Sequence, residues 1–116
     1  MNRQNLCILG STGSIGENTL DVIARNPERF NVMALSAHRN VDKLARQCAR
    51  FDAKIAVVAD AALAPDLAAR LEQEGSGAEV MAGEDGLVSV AGMPEVDTVM
   101  AAIVGAAGLV PTFRAA

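Results

Sequence analysis

Unbroken apolar runs alternate along this chain with stretches in which apolar residues recur every three or four positions. Asn5-Leu6-Cys7-Ile8-Leu9 is a run of the first kind, the pattern of a strand covered on both faces in a parallel sheet. Gly10 to Gly16 breaks it, and Ser14 to Asn26 then reads as a helix with Ile15, Thr19, Val22 and Ile23 on one face, ended by Asn26-Pro27. Phe30 to Leu35 is a second strand, followed by a polar tip, Ser36-Ala37-His38-Arg39-Asn40. Asn40 suits the N-cap of a helix whose stripe is Val41, Leu44, Ala45, Cys48 and Asp52. Lys54 to Ala59 gives a third strand, and Asp60 to Glu74 a third helix with Leu63, Leu67 and Leu71 in register, Pro65 in its first turn and Gly75 as its stop. A short strand at Ala78 to Met81 and a short helix at Glu84 to Ala91, interrupted by Gly86, come next. Val96 to Ala102 is the fifth strand, Ile103 to Gly108 a turn, and Leu109 to Ala116 the start of another helix with Pro111 in its first turn.

Strand alternating with helix across short connections predicts an α/β fold: a doubly wound parallel sheet, Rossmann-like, of about five strands with right-handed crossovers. The 116 residues make one domain, and 51% of them are hydrophobic. Only 3% are aromatic, so the core must be built from Val, Ile, Leu, Met and small residues. Arg114-Ala115-Ala116 falls one turn into the last helix, without a cap, and residues 1–116 are therefore expected to be the front part of a longer protein.

Charge and cysteines narrow the function. Fourteen acidic side chains against ten basic ones give a net charge of -4, with no basic run, so a nucleic-acid surface is not expected. No apolar stretch reaches the roughly 18 residues of a membrane span, and Met1-Asn2-Arg3-Gln4 does not open a secretion signal. A cytoplasmic location away from membranes is expected. Cys7 and Cys48 fall inside apolar patterns, which suggests neither a disulfide framework nor a zinc site.

The chemistry-bearing segment is Gly10-x-x-Gly13-x-x-Gly16 between the first strand and the first helix. Gly10 lets the strand turn, Gly13 removes a side chain where backbone must approach a pyrophosphate, and Gly16 lets the helix pack close to the sheet. Thr12 and Ser14 add hydroxyls, and the N–H groups near Ser14 and Ile15 form an anion site at the helix start. No Lys-Ser or Lys-Thr pair follows the glycines, which excludes a Walker loop. At the end of the second strand an NAD site places an acid, whereas this chain has Arg39 and Asn40, suited to a 2′-phosphate and hence to NADP. His38 would lie beside the adenosine end, against adenine or in solvent. Ala102, Ile103 and Val104, after the fifth strand, could lie against a nicotinamide ring, or simply form a packed turn. The carboxylates are scattered over helices and turns, so neither catalytic residues nor metal ligands are expected in this chain.

Leu6 to Gly16 with its GSTGSIG loop, Thr19-Leu20-Asp21-Val22, Asn26-Pro27, Ala37 to Val41 and Val99 to Leu109 with its AAIVGAAGL run together resemble the N-terminal NADPH-binding domain of 1-deoxy-D-xylulose 5-phosphate reductoisomerase. The resemblance runs the length of the chain. It implies an enzyme of the non-mevalonate isoprenoid route that rearranges 1-deoxy-D-xylulose 5-phosphate and reduces the product with NADPH to 2-C-methyl-D-erythritol 4-phosphate. It further implies a divalent metal, Mg²⁺ or Mn²⁺, and a homodimer for the full-length protein. The family's loop contacts carry over to Thr12, Gly13, Ser14 and Ile15, and its 2′-phosphate contacts to Arg39 and Asn40. The family often has Gly-Lys-Asn where this chain has His38-Arg39-Asn40. Its catalytic, metal-binding and substrate-phosphate segments lie beyond Ala116. Two alternatives stand beside it: the nucleotide domain of another NADP-dependent reductase, similar to aspartate-semialdehyde dehydrogenase, and a non-enzymatic NADP-binding regulatory module.

Overall fold

In a parallel sheet both faces of an interior strand are covered, and the apolar runs Leu6 to Ile8, Ala34 to Leu35 and Ile55 to Val58 are buried accordingly. The computed structural model describes residues 4–101, 104–105, 108–109 and 112–115. Its elements are β1 (Gln4–Leu9), α1 (Ser14–Ala24), β2 (Phe30–Ala37), α2 (Val41–Phe51), β3 (Ile55–Val58), a 3-10 turn (Ala61–Leu63), α3 (Ala64–Gln73), β4 (Glu79–Ala82), α4 (Gly83–Ala91) and β5 (Thr98–Ala101). Three short strands follow, β6 (Val104–Gly105), β7 (Gly108–Leu109) and β8 (Thr112–Ala115). The sheet order is β4-β3-β2-β1-β5-β8, parallel from β4 to β5.

The order dictates where the helices go. Right-handed crossovers from β1 to β4 move steadily to one side, which puts α1, α2 and α3 on one face. There Leu6, Ile8, Leu35, Leu44 and Leu67 form one buried core. The return from β4 to β5 crosses the other face, so α4 covers Cys7, Ile55, Val57 and Val99 in a second core. The pairing of β1 with β2 slips by one residue between Leu6 and Cys7, opposite Val32 and Ala34. That bulge turns both Met33 and Ala34 toward the second core.

Several expectations shift for identifiable reasons. In α1 the buried residues are Gly16, Leu20 and Ile23, while Val22 is 55% exposed. The helix is rolled relative to its apolar count because Gly16 must face the glycine loop. The third helix splits, since Pro65 has no N–H to donate and marks the first turn of α3, leaving a 3-10 turn ahead of it. Gly86 does not interrupt α4. A β-carbon there would stand 3.2 Å from side-chain carbons of Met81 and Val57, so the glycine lets the helix lie close on β3 and β4. The helix expected from Leu109 to Ala116 is corrected: Thr112–Ala115 pairs antiparallel with β5 as a sheet edge. One helical turn has no packing partner to offset its nucleation cost, whereas the open edge of β5 supplies a full ladder of hydrogen bonds.

Cys7 and Cys48 are free and buried in opposite cores. Burial pushes both thiols up from 9.0 to about 12. A thiolate-directed alkylating reagent at about pH 8 should therefore label neither until denaturant is added, which intact mass would read. Between the unfolded and folded values the native chain keeps protons that the unfolded chain releases, so stability should fall as pH rises through that window. Rapid labelling of native chain would contradict the buried assignment.

Candidate functional site

Ligands of open α/β sheets bind beyond the carboxyl ends of the strands, where the chain direction across the sheet reverses. Here that point is the end of β1, flanked by β2 on one side and β5 on the other. The glycine loop occupies it. Gly10 has φ of +79°, a conformation that only glycine adopts without strain. Its N–H donates to Ser36 Oγ at 2.9 Å, and the Ser11 N–H donates to the Ser36 carbonyl at 2.8 Å. The loop closes with Gly13 N–H on the Gly10 carbonyl at 3.3 Å, and α1 begins with Glu17 N–H on the Gly13 carbonyl at 2.9 Å.

The other two glycines have opposite surroundings. A β-carbon on Gly16 would stand 2.3 Å from the Gly10 carbonyl oxygen and 2.5 Å from Ser11 Cα. A β-carbon on Gly13 would meet only the Gly10 carbonyl oxygen, at 3.7 Å. Gly16 is thus fixed by packing, whereas Gly13 faces open space that a side chain would fill. Gly13 is also the N-cap of α1 and no side chain caps that end. Thr12, Gly13, Ser14 and Ile15 are partly or fully exposed around this start. An uncapped helix end presenting N–H groups, with its positive dipole and a side-chain-free face, accepts a phosphate bridge.

The second half of the site is the end of β2. The strand runs two residues further than its apolar run, because Ser36 and Ala37 pair with Val57 and Val58. That leaves His38, Arg39 and Asn40 as the exposed tip. Asn40 caps α2 as expected, its side-chain oxygen accepting from Lys43 N–H at 3.2 Å. Arg39 is 73% exposed and its Nε lies 3.5 Å from Asp60 Oδ2. An acid therefore does stand beside the tip, contributed by the end of β3 rather than β2, and no count along β2 reveals it. Lys43 pairs with Glu17, joining the first turns of α1 and α2. His38 contributes its carbonyl to Asp60 N–H at 3.0 Å.

Ala102 and Ile103 lie outside the described residues, and Val104 pairs with Leu109 in the β6–β7 ladder beyond β5. Among the described residues no group of three or more His, Cys, Asp or Glu side chains could hold a metal, and no helix is long and apolar enough to cross a membrane. Ser11, Ser36 and Gln47, which brace the loop from behind, were not legible as site residues. The one signal was Ser36, which directly follows the apolar run of the second strand and, once buried there, requires a partner.

A family model described as 1-deoxy-D-xylulose 5-phosphate reductoisomerase matches residues 6–116. The enzyme of that name from Paraburkholderia xenovorans (strain LB400) is 57% identical over 114 residues, 98% of this chain and 28% of the relative. That from Laribacter hongkongensis (strain HLHK9) is 58% identical over 112 residues, 97% of this chain and 28% of the relative. The reductoisomerase of Zymomonas mobilis, solved in complex with NADPH, superposes with a TM-score of 0.83 at 48% identity over 90% of this chain and 27% of that one. A reductoisomerase solved with NADPH, fosmidomycin and magnesium gives 0.83 at 38% identity, over 90% and 26%. The chain spans little more than a quarter of the length of the curated relatives it matches.

Proposed function

The chain belongs to the 1-deoxy-D-xylulose 5-phosphate reductoisomerase family, and from that premise we propose that it is the NADPH-binding part of such an enzyme. The observation that carries this reading is the pairing of an open Gly13 face with the uncapped start of α1 at the end of β1. Thr12 to Ile15 would hold the pyrophosphate, with Gly10 and Gly16 shaping the loop. Arg39 and Asn40 would take the 2′-phosphate, beside an adenosine near His38. Bound NADPH supplies a hydride; what this chain contributes is binding and orientation. Relatives solved with NADPH and with magnesium support the same cofactors for the whole protein.

The whole protein would convert 1-deoxy-D-xylulose 5-phosphate to 2-C-methyl-D-erythritol 4-phosphate, as a cytoplasmic homodimer. We assign its Mg²⁺ or Mn²⁺ site, its catalytic groups and its sugar-phosphate contacts outside residues 1–116. Calorimetric titration of NADPH into the chain should give saturable one-site binding. The same chain with 1-deoxy-D-xylulose 5-phosphate, NADPH and Mn²⁺ should show no NADPH oxidation by absorbance. Turnover above a protein-free blank would place catalytic groups within these residues and overturn the division; absence of NADPH binding would overturn the cofactor reading itself.

A further inference from the structure

Of the loop residues, Ser11 alone has a fully buried side chain, with 0% exposure. Its hydroxyl lies between two acceptors, the Ser36 carbonyl on β2 at 3.2 Å and Gln47 on α2. Ser11 Oγ donates to Gln47 Oε1 at 2.7 Å, and Gln47 Nε2 donates to the Ser11 carbonyl at 2.9 Å. A carbonyl oxygen only accepts, so the amide has one orientation: Nε2 to the backbone and Oε1 to the hydroxyl. From the other side Ser36, 3% exposed, accepts the Gly10 N–H on Oγ and the Ser11 N–H on its carbonyl. The strand-side half of the loop is thus suspended between β2 and α2, and among the described residues its hydrogen-bonded link to α2 is one side chain, Gln47.

We propose that Gln47 is a positioning residue for dinucleotide binding, holding Ser11 so that the N–H groups of Thr12 to Ile15 converge on the pyrophosphate. Gln47 touches no cofactor. It also ties the loop to the helix that starts just after Arg39 and Asn40, and so fixes the spacing between the two halves of the site. The inference rests on the NADPH-binding reading above. A positioning group acts on whatever bridges the loop, with or without a 2′-phosphate, and this separates it from a specificity residue.

The test is calorimetric titration of NADPH, NADH and adenosine 2′-monophosphate into wild-type chain, Gln47→Met and Ser11→Ala, with thermal melts of each. Gln47→Met keeps the length of the side chain and removes both of its bonds, while the Ser11 hydroxyl keeps the Ser36 carbonyl as an acceptor. It should weaken NADPH and NADH together, by about tenfold to a hundredfold, the scale of two neutral hydrogen bonds. Adenosine 2′-monophosphate, which has no pyrophosphate, should bind as before, and the melting temperature should move by only a few degrees. Ser11→Ala removes the hydroxyl's contacts with Gln47 and Ser36 but keeps the Gln47 Nε2 bond that holds the loop backbone, so its loss should be the smaller; if Gln47→Met does not fold, this variant decides. Unchanged dinucleotide affinity in the folded variants overturns the role of Gln47. An equal loss of adenosine 2′-monophosphate also overturns it, because Gln47 would then support α2 as a whole. Wild-type chain that binds neither dinucleotide overturns the cofactor reading, and this inference with it.

Discussion

Gly16→Ala is expected to cost the domain about 3 kcal/mol or more, at the upper end of overpacking penalties. The added methyl would lie 2.3 Å from the Gly10 carbonyl oxygen and 2.6 Å from the Ser11 carbonyl carbon, and these are backbone atoms that cannot rotate away. They are also held from behind by Ser36 and Gln47, so relief requires α1 to leave the sheet. A domain of this size has roughly 6–17 kcal/mol of stability in all, so the melting temperature should fall by about 10 °C or more. Gly13→Val is the matched control. Gly13 has φ of -78° and ψ of 172°, extended backbone open to any residue, and its β-carbon makes only an ordinary contact. Stability should drop by no more than about 1 kcal/mol, the scale of an N-cap preference. NADPH affinity should nevertheless fall at least about a hundredfold, because the valine methyls fill the face a pyrophosphate must approach. Thermal melts and calorimetry on both variants decide the matter. Equal loss of melting temperature in the two, with cofactor affinity kept in Gly13→Val, would contradict the division of roles.

The architecture was legible because each layer leaves a periodic trace. Buried parallel strands leave continuous runs, and Val57 and Val58 in β3, facing opposite cores, show why alternation is absent there. The α2 stripe of Val41, Leu44, Ala45 and Cys48 is buried as its spacing requires, but Asp52, counted with it, is the exposed left-handed C-cap after the helix. What periodicity could not resolve was rotation and continuation. Leu20 rather than Val22 faces the core because the Gly16 contact sets the roll of α1, and that contact lies between residues six apart across a turn. At the end of the chain Pro111 suggested a helix start, but the partner for Thr112–Ala115 is β5, a long-range pairing that no local window reads. The site divides in the same way. Two of the glycines were legible from spacing alone, since the positive φ of Gly10 and the close approach at Gly16 both require a missing β-carbon. Asp60 beside Arg39, and Gln47 behind Ser11, arrive from other elements and depend on the sheet order that brings β3 and α2 to this edge.

Preference for NADPH over NADH should rest mainly on Arg39, and Asp60 sets how the test must be read. An ion pair as exposed as Arg39 with Asp60 contributes about 0–1 kcal/mol, so it does not hold the guanidinium back from a stronger partner. A charge-assisted bond to a 2′-phosphate contributes about 1.5–3 kcal/mol, and the phosphate carries more charge than the carboxylate it displaces. Arg39→Ala should therefore weaken NADPH binding by about 10- to 150-fold. NADH, which lacks that phosphate, should bind about as before. Arg39→Asp should go further and reverse the preference. It would set two carboxylates, the introduced one and that of Asp60, against the 2′-phosphate while offering the ribose 2′-hydroxyl of NADH an acceptor. Calorimetric titration of both cofactors into wild-type chain and the two variants measures all three effects. If Arg39→Ala weakens NADH as much as NADPH, or changes neither, the guanidinium serves only its surface pair with Asp60. The 2′-phosphate would then need a different cation, and Lys43, one turn into α2 and already paired with Glu17, is the nearest alternative in sequence.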